Sequence, residues 1–122
     1  MWYAAHIITA FRYRAPHRKR RQRRFYVWEN IVLIRARSPE EAWKKAEEYA
    51  REEASHDDRT LRMNGVSATL DFAGIRKVVE VVDPKKRPAH GTEITYNMFN
   101  IASPADLKRL VAGDPVQVEY QE

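Results

Sequence analysis

Between Arg12 and Arg24 the chain carries eight cations: Arg12, Arg14, Arg18, Lys19, Arg20, Arg21, Arg23 and Arg24. No acid precedes Glu29. Cations packed this densely repel one another and seek anions. Phosphate backbones offer anions at high density, and binding to them releases counterions. Tyr13, Phe25, Tyr26 and Trp28 flank the run. Aromatic rings beside arginines stack on bases or pack on guanidinium planes. The chemistry indicated is polyanion binding, to RNA or DNA, with Tyr26 and Trp28 as stacking rings. Two plainer readings stand beside it. In one, the run is a solvated loop and its aromatic neighbours face the core. In the other, it meets a protein partner with an acidic surface.

The rest of the sequence offers little catalytic chemistry. Cysteine is absent, so there is no disulfide framework and no thiol nucleophile. His6, His17, His56 and His90 lack the spacing of helical or zinc-finger ligands, and no metal site is expected. His56-Asp57-Asp58 reads as a hydrated turn, and His6, set among apolar residues, as a satisfied core or edge histidine. Glu29, Asp71, Glu80 and Glu93 fall in or beside expected strands. A buried carboxylate pair would supply an acid and a base, but nothing in this spacing demands one. Cross-strand pairing with Arg or Lys fits better. Glu93, in Gly91-Thr92-Glu93, is the candidate functional carboxylate. Its plain reading is a turn at Gly91 and pairing of Glu93 with a cation on a neighbouring strand. The sequence has no phosphate-cradling glycine loop, nucleophile elbow or aspartate-rich metal loop. Neither enzymatic activity nor a cofactor is expected.

Composition narrows the class further. A chain of 122 residues with 43% apolar content is most simply one domain, 1–122, able to bury a core unaided. The net charge is +5, of which the basic run supplies +8, so the remainder carries −3. The asymmetry is more informative than the overall pI. No apolar run approaches the roughly 20 residues needed to span a bilayer. Trp2 to Phe11 is strand-like from the outset, so no signal peptide is expected, and the chain reads as cytoplasmic.

The elements that position the basic run follow from periodicity. Tyr3, Ala5, Ile7, Thr9, Phe11 and Tyr13 alternate along a first strand. Tyr26 to Ala36 is a second strand, apolar on both sides, and so expected to be central and well covered. Joined by polar residues, the two make an antiparallel hairpin with the basic run, about 12–24, at its tip. Ser38-Pro39-Glu40-Glu41 starts a helix with a capping box. That helix runs to about Ala54, with Ala42, Trp43, Ala46, Tyr49, Ala50 and Ala54 as its apolar stripe. Asn64-Gly65 signals a turn. Ser67 to Val82 is strand-like, but its apolar phase shifts around Gly74, which predicts a bulge or bend. Thr92 to Ile101 is a further strand with Ile94, Tyr96 and Met98 on one face. Ser103-Pro104 opens a short helix with Leu107, Leu110 and Val111 inward, stopped by Gly113. Val116 to Tyr120 ends the pattern as a strand.

The expected fold class is α+β: a two-layer sandwich, mostly antiparallel, in the order β-β-α-β-β-α-β with helices on one face. If the first helix runs back along the sheet, the second and third strands are parallel. The loops Pro16–Arg23 and Pro84–Ala89 then point to opposite ends of the sheet.

Several landmarks resemble the domain of unknown function 4288 family of small, mostly bacterial proteins. They are Trp2-Tyr3-Ala4-Ala5, then Glu29 with Ile31 to Ile34 and Ala36, then Glu40-Glu41-Ala42 with Ala46. Phe72-Ala73-Gly74 and Gly91-Thr92-Glu93 complete the set. The resemblance spans most of the chain and implies no particular activity. The arginine run lies outside its pattern. The favoured expectation is a non-catalytic module that holds RNA or DNA on the basic hairpin. The rival is a protein-interaction or regulatory module, acting through a sheet edge or uncovered face and able to homodimerise. Tyr and Trp in excess of what one core needs would favour the rival.

Overall fold

The alternating N-terminal stretch becomes the central strand. A computed structural model describes residues 1–14, 26–54, 60–82 and 87–121. Its elements are β1 (Trp2–Tyr13), β2 (Val27–Arg35), α1 (Pro39–Ala54), β3 (Arg62–Met63), β4 (Val66–Glu80), β5 (Met98–Asn100), α2 (Pro104–Ala112) and β6 (Glu119–Gln121). The main sheet has the order β2-β1-β4-β3 with antiparallel neighbours, and β5 and β6 form a separate antiparallel ribbon. The α+β class and the dominance of antiparallel pairing match the sequence pattern.

β1 takes the centre because its residues are small or apolar on both faces. Tyr3, Ala4, Ala5, His6 and Ile7 are all buried. β2 pairs with it from Trp2↔Arg35 to Ala10↔Val27. The hairpin arms are thus as expected, while most of its tip, residues 15–25, lies outside the described residues. The expectation that the second strand is central is corrected: among the described residues β2 is an edge, and Ile31 and Leu33 are exposed. An apolar pattern on both faces does not say which strand recruits two neighbours.

α1 lies on one face of the sheet through its alanines. Ala42 and Ala46 pack with Tyr3, Ala5, Ile34 and Ala36, flanked by Val32, Ile75 and Val78. Their single methyl groups allow close approach of helix and sheet, and Trp43 and Tyr49 lie exposed at the margins of the stripe. Ser38 caps the helix: its Oγ accepts from the Glu41 N–H at 3.1 Å. Only this half of the capping box is seen. The Glu41 carboxylate turns outward to Arg37 (3.1 Å) and Lys45 (3.1 Å).

β4 explains the phase shift. Its register against β1 slips between His6 and Ile7 and again between Ile8 and Thr9, leaving Arg76 and Ala73 as extra residues on either side of Gly74. Each bulge resets the alternation. Val78, Ile75 and Phe72, three apart, therefore all oppose helix-side residues of β1 (Ala5, Ile7 and Thr9). Asn64 and Gly65, with φ of 53° and 75°, make the two-residue turn between β3 and β4.

The C-terminal third departs most from expectation. Only Met98–Asn100 of the expected 92–101 strand is a strand. α2 is capped as its sequence dictates, with the Ser103 Oγ accepting from Asp106 N–H at 3.1 Å and Gly113 left-handed at φ 79°. Yet none of its residues is buried, and Val111 is 82% exposed. No helix of the structure is long and apolar enough to cross a membrane.

Candidate functional site

The β1–β2 register gathers the root of the basic segment. Arg12 and Arg14 leave the end of β1 while Tyr26 and Trp28 enter β2. The Phe11 N–H donates to the Tyr26 carbonyl at 3.0 Å, and Trp28 sits opposite Thr9. The Arg12 guanidinium, about half exposed, lies 3.6 Å from the Asp71 carboxylate. Arg14 is held more firmly: Nε donates to Ser67 Oγ at 3.2 Å and Nη2 to the Ala68 carbonyl at 3.5 Å. Arg18, Lys19, Arg20, Arg21, Arg23 and Arg24 lie outside the described residues.

Tyr26 and Trp28 are 58% and 52% exposed, so neither is a core residue. Trp28 is nonetheless fixed. Its ring meets Phe11 in a T-shaped contact, centroids 5.3 Å apart and planes at 83°. A ring held this way gives up little further freedom when something stacks on it.

Arg87, the described cation of the second basic cluster, does not join this surface. Tyr13 of β1 pairs with Ala68, and Tyr3 with Glu80. The chain therefore leaves β4 at the end of the sheet opposite Tyr13. Arg87 reappears there, lining a hollow with Met1, Trp2 and Arg35.

A cluster that the sequence did not single out occupies the other face of β1. His6 is fully buried. Its Nδ1 lies 2.6 Å from Glu29 Oε2, and its Nε2 lies 2.5 Å from Thr95 Oγ1. Glu29 is also 3.7 Å from the Arg76 guanidinium. The bulge at Arg76 lets Arg76 and Lys77, though adjacent, both serve this side. Arg76 lies over the Tyr120 ring at 3.7 Å and donates to Asn97 Oδ1 at 3.5 Å. Lys77 donates to the Tyr96 carbonyl and sits 4.8 Å from the centre of its ring. Residues 92–97 are thus tied down by side chains rather than by a strand ladder. A carboxylate–imidazole–hydroxyl series can activate a nucleophile in an open site. Here the imidazole is sealed, and its two bonds fasten the segment to the sheet. His6 is therefore the satisfied histidine its surroundings indicated. The signal for Glu29 was its place beside a strand, whereas Thr95 carried none.

Glu93 is exposed, and no hydrogen bond or ion pair to it is found among the described residues. The turn expected before it is present, with Gly91 at φ 86° and the Thr92 N–H donating to the Ala89 carbonyl at 3.0 Å. Asp71 pairs with Arg12, and Glu29 with His6 and Arg76, as cross-strand carboxylates should. Among the described residues no group of three or more His, Asp or Glu is placed to hold a metal ion. His56, Asp57 and Asp58 lie outside them.

The model of the family described as Domain of unknown function (DUF4288) matches residues 2–96, and the chain belongs to that family. The matched span runs from the first residue of β1 to one residue past Thr95, so it holds His6, Glu29, Arg76 and Thr95 and leaves out β5, α2 and β6. No curated protein and no solved structure matches the chain.

Proposed function

We propose that the chain is a non-catalytic, cytoplasmic binding module that holds RNA or DNA on its basic first hairpin. One observation supports this above the others: Tyr26 and Trp28 stand exposed at the root of the arginine run, beside Arg12 and Arg14. A solvated loop of no consequence would leave its flanking strand aromatics free to face the core. Rings on the surface beside Arg12 and Arg14, at the root of the arginine run, are what stacking on nucleic acid requires. The test is titration of wild type and an Arg20→Gln, Arg21→Gln, Arg23→Gln, Arg24→Gln variant with labelled RNA and DNA at two salt concentrations. Binding should weaken in the variant, and the log–log salt slope should fall by about 0.7–0.9 for each phosphate no longer neutralised. Absence of binding by wild type at low salt, or an unchanged slope in the variant, would remove the proposal.

A second reading has its own support. β2 is an edge strand with Ile31 and Leu33 exposed, and α2 exposes Leu107 and Val111. Apolar surface of this kind suits a protein partner or a second copy of the chain. Light scattering across a concentration series separates the readings. A dimer whose retention on heparin is ordinary favours this one.

A further inference from the structure

The groove between the C-terminal half of α1 and the sheet opens beside the root of the basic hairpin. Its volume is about 630 Å³, within the roughly 300–1,000 Å³ range of small-ligand sites. We infer that this cleft takes one unstacked base of a single-stranded nucleic acid, so that the module prefers single strands to duplex. The inference rests on the polyanion reading above and adds the form of the ligand.

Two walls of the cleft are aromatic, Trp28 from β2 and Tyr49 from α1. Phe11 already orders the Trp28 ring, and both rings are partly open to solvent. Arg14 lines the same cleft and is the last described residue before the arginine run. Its bonds to Ser67 and Ala68 fix the guanidinium at the rim, where it can meet a nucleotide's phosphate.

Polar groups wait inside. Thr9 lines the cleft, is only 9% exposed, and its hydroxyl has no hydrogen-bond partner among the described residues. A buried hydroxyl left unpaired is costly, and rotation of the Thr9 side chain toward the cleft would let the polar edge of a base satisfy it. Asn30, opposite Ile7 on the same strand pair, adds an amide donor and acceptor, and its side chain has no partner among the described residues. Glu53, the one acid among the described lining residues, can accept from an exocyclic amine but would repel a phosphate. The phosphate therefore belongs with Arg14 and the base with Thr9, Asn30 and Glu53. In a duplex the base edges are paired and the faces stacked, so entry would require flipping the nucleotide out. A single strand offers both without that cost.

The experiment compares a short labelled RNA single strand with the duplex of the same sequence. The proteins are wild type, Trp28→Leu, Thr9→Val and the four-Gln variant, each checked by thermal melting. Trp28→Leu should weaken single-strand binding by about tenfold, the worth of one stacked base, and change duplex binding less than twofold. Thr9→Val keeps the side-chain shape, should melt no lower than wild type, and should weaken single-strand binding by about fivefold, one hydrogen bond's worth. The four-Gln variant should bind both forms more weakly. Equal affinity of wild type for the two forms, or unchanged single-strand binding in both cleft variants, overturns the cleft and leaves the polyanion reading standing. Failure of wild type to bind either form at low salt overturns both.

Discussion

His6 Nδ1 lies 2.6 Å from Glu29 Oε2, with the imidazole fully buried between the sheet and the segment that carries Thr95. A carboxylate can accept from Nδ1–H, and the Thr95 hydroxyl can either donate to Nε2 or accept from it, so both ring nitrogens are hydrogen-bonded. Thr95→Val leaves Nε2 buried without a partner and should cost about 1–3 kcal/mol, whereas Thr95→Ser should cost far less. Glu29→Gln keeps a weaker partner for Nδ1 and should be milder than Thr95→Val. Because the three groups form one series, a Glu29→Gln/Thr95→Val cycle should give a coupling of about 0.5–3 kcal/mol. Urea unfolding of the four proteins measures it. Strict additivity would mean that the series does not act as a unit.

The two kinds of glycine predict opposite outcomes. Gly74 has an ordinary φ, and a Cβ added there meets nothing within 4 Å. The bends beside it come from the extra residues Arg76 and Ala73, not from any conformation special to glycine. Gly74→Ala should therefore be neutral or stabilising by about 0.4–1 kcal/mol through the unfolded chain. Gly113 is left-handed at φ 79° behind α2, and its N–H donates to the Leu110 carbonyl at 3.3 Å. Gly113→Ala should cost about 1–2 kcal/mol. A Gly74→Ala protein that melts well below wild type would show that the bulges depend on the glycine.

These elements also show where the sequence was legible. Ser38-Pro39 placed the start of α1, Asn64-Gly65 placed a turn, and the slipped phase around Gly74 marked a bulge or bend, found as two bulges, because each is decided by neighbouring residues. The edge position of β2 was not legible. Tyr26 to Ala36 is apolar on both sides whether or not a second strand pairs with it, and only the long-range match of β1 with β4 settles that. The Thr92–Ile101 stretch has a strand's alternation, but Thr95 and Tyr96 spend their polar groups on His6 and Lys77, far off in the chain. The same limit hid the site's details. The arginine run announced itself by composition, yet the exposure of Tyr26 and Trp28 and the unpaired Thr9 hydroxyl depend on where α1 crosses the sheet.

The face that α1 buries sets a further test. Ala46 is fully buried against β1 and β2 residues, so Ala46→Glu places a carboxylate where nothing can pair with it and should cost more than about 3 kcal/mol. An outer-face control must be chosen with care. Lys45, though exposed, donates to the Arg35 carbonyl at 2.8 Å and pairs with Glu41 at 3.1 Å, so its replacement is not silent. Lys44 is exposed, with no partner among the described residues, and Lys44→Gln should stay within about 0.5 kcal/mol of wild type. Chemical denaturation curves for Ala46→Glu, Lys45→Gln and Lys44→Gln should rank in that order of destabilisation. Any other order would mean a different helix face meets the sheet.

The pairing of Glu41 also sets a pH dependence. Lys45 and then Arg37, both hydrogen-bonded to it, hold the Glu41 carboxyl below the ordinary glutamate value, against a smaller opposing effect of burial. The unfolded chain thus binds this proton more readily than the folded one. Its contribution to stability is complete above the ordinary glutamate range, near pH 4.3, and is lost as the pH falls through the lowered folded value. Glu41→Gln removes that contribution and leaves the Ser38 cap, since the cap's donor is the backbone N–H of residue 41. Wild type should therefore be the more stable near neutrality, and its margin should shrink as acid is added. The other carboxylates titrate in both proteins and cancel in the difference. Melting temperatures of wild type and Glu41→Gln, taken in parallel from pH 7 down to about pH 3 at low ionic strength, read this margin directly. Added salt should narrow it, because the pairs are partly exposed. A margin that is constant across the pH range would show that Lys45 and Arg37 do not hold the carboxylate in the folded protein.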